Sequence, residues 1–298
     1  MSVVLVTGAD GFTGRYLCAA LAAAGHEVHG LVRELNGMAV DGAVSVHVAD
    51  LTDAAALRRV VTRVRPERVA HLAAIAFVAH EDVDAMYRVN LLGTRNLLAV
   101  LARQDPAPVG VLIASSANVY GNAAGGVIDE ECRPAPANDY AVSKLTMESM
   151  AALWYPKLPL TLVRPFNYIG RGQSTNFVIA KIAYHIRRRA PVLELGNLDV
   201  ERDFSDVRVV VDAYQRLLSL STPPIGPFNV CSGIGTTLRE VIDDLSEIGG
   251  HRPELRVNPA LMRTNEVKRL VGSAARLESQ IGPLLRVTLR DTIAWILS

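Results

Sequence analysis

The first fourteen residues constrain the fold more than any other stretch of the chain. Val3-Val4-Leu5-Val6 is a short apolar strand signal, Thr7-Gly8-Ala9-Asp10-Gly11-Phe12-Thr13-Gly14 is a glycine-rich turn, and Arg15 to Ala24 continues as a helix. Glycine lets a backbone turn tightly and approach a ligand closely, and the N-terminus of the helix that follows offers unpaired N–H groups to a pyrophosphate. The spacing is Gly-x-x-Gly-x-x-Gly, a variant of the commoner Gly-x-Gly-x-x-Gly dinucleotide turn. Gly8, Gly11, Phe12, Thr13 and Gly14 are therefore candidate cofactor-holding residues.

Beyond the turn, short apolar runs alternate with longer helical stretches, the pattern of repeated strand–helix units around a mostly parallel sheet. Strands are expected at Val3–Val6, Val28–Val32, Val44–Val48, Val69–Leu72, Val109–Ala114 and Leu160–Val163. Helices are expected at Arg15–Ala24, Ala54–Val64, Val83–Arg103 and Asn138–Tyr155. The fold class is thus α/β, a doubly wound Rossmann sheet, whose ligands sit beyond the carboxyl ends of the strands. Gly8–Gly14, Asp50, Ala73-Ala74 and Ser115-Ser116 all follow a strand directly. After Pro165 the pattern becomes irregular, with turns at Gly170-Arg171-Gly172, Gly196-Asn197 and Pro223-Pro224 and helices at Phe177–Arg189, Val207–Leu220, Leu238–Ile248 and Leu289–Leu297. Residues 1–165 are expected to form the dinucleotide-binding domain. Residues 166–298 are expected to form a smaller substrate-binding lobe, with part of 203–232 returning to the first domain.

The remaining features narrow the class by exclusion. The longest uncharged apolar stretch, Val69 to Ala79, contains His71 and is too short to span a bilayer. The glycine turn begins at residue 8, which leaves no room for a signal peptide and makes a cytoplasmic location the expectation. A net charge of +1 gives no reason to expect nucleic acid or a membrane surface as partner. Arg187-Arg188-Arg189 reads as the solvated end of a helix. Cys18, Cys132 and Cys231 are widely spaced and read as reduced, packed thiols. The seven histidines are scattered, and His26 and His29 flank a strand and read as surface and strand residues, not ligands, so no metal site is expected.

Tyr140 and Lys144 carry the strongest chemical signal. Positions i and i+4 share one helix face, so a phenol and an ammonium can point into one site. A lysine charge about 6 Å from the phenol, at an effective dielectric of about 20, contributes roughly 2.8 kcal/mol. That predicts a tyrosine pKa lowered by on the order of two units, within reach of proton exchange near neutrality.

The glycine turn, Asp50-Leu51, the stretch Ser115-Ser116-Ala117-Asn118-Val119-Tyr120-Gly121 and Tyr140-x-x-x-Lys144 occur in an order that resembles the extended short-chain dehydrogenase/reductase family, whose members modify nucleotide sugars. The resemblance implies that Ser116, Tyr140 and Lys144 are catalytic. It implies a nicotinamide cofactor held by the glycine turn with Asp50, Leu51, Ala73 and Ala74, and by Tyr140 and Lys144 themselves. Asn90 matches a position that mainly holds the architecture. Segments 164–173, 196–204 and 229–233 look like the GDP-mannose branch. There Asn118, Asn167, Asn176 and Arg202 would join Ser116 on the sugar nucleotide, with Arg263 and Glu266 at the guanosine end. Two departures, Arg171 in Gly170-Arg171-Gly172-Gln173 and Thr264 after Arg263, stand where that branch carries proline. They are expected to loosen a loop near the substrate.

Cofactor choice is read at the end of the second strand, where an acid suits NAD and an arginine accommodates a 2′-phosphate. Arg33 there, followed by Glu34, favours NADP(H) and leaves NAD(H) possible. Family dehydratases carry acids directly after the position of Ser116, and Ala117 and Asn118 cannot shuttle a proton. The activity implied is NADPH-dependent reduction of the C4 carbonyl of a GDP-4-keto-6-deoxy sugar. A manno-hexose would give GDP-D-rhamnose, and a 6-deoxy-manno-heptose homologue competes. A 4-epimerase or a 4,6-dehydratase of the same family and a non-catalytic dinucleotide sensor are the other readings. Family members often form homodimers through the helices at Val83–Arg103 and Asn138–Tyr155, where Ala141, Met147, Met150, Ala151 and Leu153 offer an apolar stripe.

Overall fold

The computed structural model describes residues 1–35, 37, 40–77, 82–122, 126–262 and 267–298. Its centre is a seven-stranded sheet built from β1 (Val3–Thr7), β2 (Glu27–Val32), β3 (Ala43–Val48), β4 (Arg68–His71), β5 (Gly110–Ala114), β6 (Leu160–Pro165) and, far later in the chain, Gly226–Val230. With that last strand called β10, the order is β10-β6-β5-β4-β1-β2-β3 and every pairing is parallel. The chain runs outward from β1 through β2 to β3 and then returns to place β4 on the other side of β1. The order therefore reverses beside β1, which is where doubly wound sheets hold ligands.

Helices cover both faces, and their apolar stripes fix which face each takes. α1 (Phe12–Ala23) lies on one face with Val207–Ser219, here called α7, through Leu17, Leu21, Val210, Tyr214 and Leu217. On the other face lie α2 (Ala54–Val64), α4 (Thr94–Leu101) and α5 (Asp139–Ala152), through Leu57, Val60, Leu97, Leu98, Met147 and Ala151. Burial on both faces explains why these strands read as continuous apolar runs. Asp53 caps α2 by accepting from the N–H groups of Ala55 and Ala56, and Asn138 caps α5.

The single helix expected over Val83–Arg103 is interrupted. α3 (Val83–Tyr87) leads into a π-helical segment, Arg88–Gly93, before α4 begins. A π turn re-aims side chains without breaking the apolar stripe, so hydrophobic spacing alone does not reveal it. Asn90 lies in this segment, turned inward and buried.

The remaining elements form the smaller part of the molecule. β7 (Asn167–Ile169), β9 (Glu201–Asp206), β11 (Gly235–Thr237) and β13 (Arg269–Leu270) make one sheet with β9 in the middle. β8 (Val192–Leu195) pairs with β12 (Glu254–Val257). α6 (Val178–Arg187), α8 (Leu238–Gly249) and α10 (Leu289–Leu297) pack around them, and α9 (Ala275–Ile281) lies against the large sheet through Leu277. β9 runs without a linker into α7, whose N-terminus is capped by Asp206. Among the described residues, no helix is long and apolar enough to cross a membrane.

Candidate active site

The candidate residues collect at the carboxyl ends of the central strands. Gly8 turns the chain out of β1 with φ +67°, and a Cβ there would lie 2.9 Å from the main chain of Ala73. Gly14 lets α1 pack on that turn, since a Cβ at this position would stand 2.1 Å from the Gly8 carbonyl oxygen. The Gly11 N–H donates to the Gly8 carbonyl at 3.0 Å. Gly11 is also the N-cap of α1 and supplies no side-chain acceptor, so the first N–H groups of that helix have no side-chain cap. The Phe12 ring stacks on Tyr168 at 6.0 Å, and Thr13 Oγ1 meets the Tyr168 hydroxyl at 2.8 Å. Those two side chains are occupied, which leaves their main chain for a diphosphate.

Arg33, at the end of β2, is 71% exposed and pairs with Glu34 at 3.1 Å. Asp50 accepts from the Thr52 N–H at 2.7 Å and its hydroxyl at 2.6 Å. These bonds hold the Asp50 carboxyl below the usual carboxylate range, with Arg33 adding to the effect. Leu51 was expected beside the cofactor, but its side chain is buried in the core against Gly93. An apolar side chain is more stable there than facing a polar ligand, so Leu51 offers a cofactor main chain only.

Ala73 and Ala74 follow β4 in the loop that packs on Gly8. Behind them runs a buried chain of hydrogen bonds whose directions can be assigned. Burial, with the Lys144 charge adding to it, lowers the pKa of His71 to about 3, so its ring is neutral. Thr94 gives its proton to the Asn90 carbonyl at 2.7 Å. Its oxygen therefore accepts from His71 Nε2 at 2.9 Å. His71 Nδ1 must then accept from Thr7 Oγ1 at 2.7 Å, and Thr7 in turn accepts from the Ala73 N–H at 3.2 Å. Asn90 completes the connection, accepting from the Ile75 N–H at 2.8 Å and donating to the Ile75 carbonyl at 3.1 Å and Ser143 Oγ at 3.0 Å. Its architectural reading agrees with this geometry. Thr7, His71 and Thr94 were not singled out from the sequence, because each alone looks like an ordinary core residue.

Ser116 and Tyr140 are brought together. Ser116 Oγ caps the short 3-10 turn Ala117–Tyr120, accepting from the Asn118 N–H at 3.2 Å and Asn118 Nδ2 at 3.0 Å. With both acceptances directed to Asn118, the Ser116 proton is available to the Tyr140 phenol, whose pKa the serine lowers. Lys144 does not act as the spacing predicts. Its ammonium donates to the Ala114 carbonyl at 2.8 Å, and the Tyr140 pKa is raised to about 12 by burial, with Ser116 pulling it partly back. An i, i+4 spacing places the two residues on one helix face, but desolvation of the buried phenol is the largest influence on it. Burial also lowers Lys144 to about 8, opposed by the nearby Glu148 carboxylate.

Asn167 is exposed at the start of β7, opposite Phe204 in register, and Arg202 lies on the adjoining β9, so both belong to one small sheet. Arg202 Nη1 donates to the carbonyls of Glu201 at 3.0 Å and Lys268 at 3.3 Å. Asn176 is exposed in the segment leading to α6. Arg263 and Glu266, like Thr264, lie outside the described residues. Next to Arg202, the fully buried Asp203 accepts from Ser232 N–H at 2.8 Å, Ser232 Oγ at 2.6 Å and Gly233 N–H at 2.8 Å, fixing the loop after β10. The loop expected to be loosened by Arg171 is instead tied down. The Arg171 guanidinium bonds the Trp295 carbonyl and Ser298 Oγ on the C-terminal helix, and its own carbonyl accepts from the Tyr16 hydroxyl at 2.8 Å. Losing a proline costs local stiffness, and these bonds restore it.

A family model for the NAD dependent epimerase/dehydratase family matches residues 4–231, which span the glycine turn, Ser116 and the Tyr140–Lys144 pair. The chain belongs to this family. It is an NAD(P)-dependent oxidoreductase of the nucleotide-sugar group. Among relatives of this family, GDP-6-deoxy-D-mannose reductase of Pseudomonas aeruginosa is 38% identical over 306 residues, covering 99% of this chain and 96% of its own. GDP-6-deoxy-D-talose 4-dehydrogenase of Aggregatibacter actinomycetemcomitans is 33% identical over 287 residues, covering 96% of this chain and 93% of its own. The structure of RMD from Pseudomonas aeruginosa complexed with NADPH superposes with a TM-score of 0.85 at 36% identity, covering 100% of this chain and 98% of that one. The residues present fit the family's dinucleotide: a glycine cradle with no room for a Cβ, an uncapped helix start and a buried lysine next to a buried tyrosine.

Proposed function

We propose that this enzyme reduces the C4 carbonyl of a GDP-4-keto-6-deoxy sugar, with NADPH as preferred reductant. The observation that carries the reading is the grouping itself: a buried Tyr140 and a buried Ser116, with buried Lys144 one turn further along α5. A proton donor must carry its proton at neutral pH, and an alkoxide developing from a carbonyl is basic enough to take one from a phenol. Ala117 lies in the core and Asn118 is engaged with Ser116, so neither of the two residues that follow the serine is an acid or base. A bound nicotinamide would supply the hydride. Tyr140 gives its proton to the C4 oxygen, the Ser116 hydroxyl orients that oxygen, and the Lys144 charge stabilises the phenolate left behind.

The glycine turn, Asp50 and the 73–74 loop are assigned to the dinucleotide. Residues 166–298, with Asn118, Asn167, Asn176 and Arg202, are assigned to the sugar nucleotide, and the outlying Arg263 and Glu266 to its guanosine end. A guanidinium fork suits diphosphate oxygens. The manno-hexose is the first substrate choice and the 6-deoxy-heptose the second. Relatives named for a 6-deoxy-mannose and a 6-deoxy-talose product leave two faces of the carbonyl to distinguish. A homodimer is proposed through the helical stretch from α3 to α4 and through α5, where Leu92 of the π-helical segment and Leu153, just after α5, are exposed. Ala141, Met147 and Ala151 of the same stripe are buried within the chain, so they would not form that contact. Three unpaired cysteines suit a reducing, cytoplasmic compartment.

The test is incubation with NADPH and freshly generated GDP-4-keto-6-deoxy sugars, following cofactor absorbance and product stereochemistry by NMR. No cofactor oxidation with any of them would sink the reading. Cofactor preference has its own test. Arg33→Ala is expected to raise the KM for NADPH about tenfold or more, as for loss of a charge-assisted phosphate contact, while leaving NADH nearly unchanged. An unchanged NADPH preference would remove Arg33 from the 2′-phosphate.

A further inference from the structure

Tyr140, Lys144 and Glu148 stand at i, i+4 and i+8 on α5 and so share one face of the helix. The first two have roles in the proposed reaction and the third has none. Glu148 is 6% exposed, and both its oxygens are engaged. Oε1 accepts from Ser115 Oγ and from Arg164 Nε at 2.9 Å, and Oε2 accepts from Arg164 Nη2 at 2.6 Å. Arg164 Nη1 donates to the Tyr120 hydroxyl at 2.8 Å, which donates onward to Asn229 Oδ1 at 2.8 Å. One network thus joins α5, the residue before Ser116, β6, the turn after Ser116 and β10. A buried ion pair of this kind rarely adds stability over a well-packed apolar pair, which directs attention to what it holds in place.

We infer that Glu148 is a positioning residue for the catalytic pair. Through Ser115 and Arg164 it fixes the strand end from which Ser116 extends, and its carboxylate balances the buried positive charge of Lys144 one turn away. The inference rests on the reductive role proposed for Ser116, Tyr140 and Lys144. The groups around Lys144 support it. β4 presents the neutral His71, β5 presents the Ala114 carbonyl, and α5 itself presents the protonated Tyr140. Arg164, on β6, is bound to Glu148 through Nε and Nη2 and is not among the groups that shift Lys144. Glu148 is the group that opposes the effect of burial on Lys144.

Glu148→Gln keeps the shape and removes the charge. The alkaline limb of the kcat/KM profile, where Lys144 loses its proton, is expected to move to lower pH by roughly one unit. A readout without substrate is the thermal stability of the cofactor-free protein. The folded-state pKa of Lys144 lies below its unfolded value, so its contribution rises as pH climbs from about 8 towards the ordinary lysine range. In the variant that rise should begin at lower pH. Because Arg164 would be left buried and unpaired, Glu148→Gln/Arg164→Met is the companion variant. It should recover thermal stability and retain a smaller shift of the same sign. If the double variant keeps the wild-type limb and stability onset, or the single variant loses kcat with its profile unmoved, Glu148 is only structural and the inference is overturned. If no GDP-4-keto sugar is reduced, the function reading fails while the stability profile still decides this one.

Discussion

Tyr140→Phe is expected to lower kcat about a thousandfold while leaving cofactor affinity and folding nearly intact. The phenol is buried, carries its proton at neutral pH and lies under the influence of the Ser116 hydroxyl. Removing a positioned general acid typically costs 10²–10⁴-fold. The ring itself packs in the protein interior, and phenylalanine fills the same volume. The lost bond to Ser116 leaves that serine still capping its turn through Asn118. Stability should therefore fall by no more than about 1 kcal/mol. Stopped-flow and steady-state rates with the keto sugar, alongside NADPH fluorescence titration, separate the two effects. Full activity in this variant would remove Tyr140 from the chemistry.

Lys144→Met is expected to couple two opposite changes, a fall in kcat of two or more orders of magnitude and a gain in thermal stability near pH 7. Burial moves this amine from the ordinary lysine value to about 8. Below that pH both folded and unfolded chains carry the proton, and the folded protein bears the full cost of burying the charge. That cost is roughly 3 kcal/mol, since each pKa unit corresponds to about 1.4 kcal/mol. Losing the bond to the Ala114 carbonyl takes back about 1 kcal/mol. For a chain of this size the net gain corresponds to a few degrees in Tm. As pH rises above about 8 wild-type Lys144 sheds its proton in the folded state, so the difference should shrink toward the ordinary lysine range. A variant that melts lower at pH 7 and at pH 10 alike would contradict this account.

The parts of the molecule written in local patterns were legible from the residues. The turn at Gly8–Gly14, the six early strands and the helix carrying Tyr140 follow from glycine geometry and apolar periodicity, both short-range properties. What burial decides was not legible. Tyr140 and Lys144 share a helix face as expected, but the sign of the tyrosine shift reverses because desolvation depends on everything packed around the phenol. The direction of the Leu51 side chain was hidden for the same reason: it packs near Gly93, so only its main chain is left to a cofactor. Glu148 carried a usable signal, a charge on the same face as Tyr140 and Lys144, and Arg164 stood unassigned before Pro165. Their pairing only appears once β6 lies beside α5. Arg171 shows the converse. Judged against the proline that the resemblance led one to expect, it should loosen a loop, whereas its contacts with the last helix come from residues more than a hundred positions away.

The position of β10 has a consequence for how the protein is made. β6 ends at Pro165, but the strand that completes the sheet beside it begins only at Gly226. During synthesis the ribosome must release β7 through α7 before the open hydrogen-bonding edge of β6 can be covered. An uncovered edge strand invites pairing with other chains, and parallel pairings between distant segments form late. The nascent chain thus spends the interval between residues 165 and 226 with its most apolar sheet unfinished. Shorter, faster-translated or chaperone-poor settings should favour aggregation at that stage over any later one. A ribosome-stalled chain ending before Gly226, compared with one ending after Val230, would show the difference as a step in protease resistance.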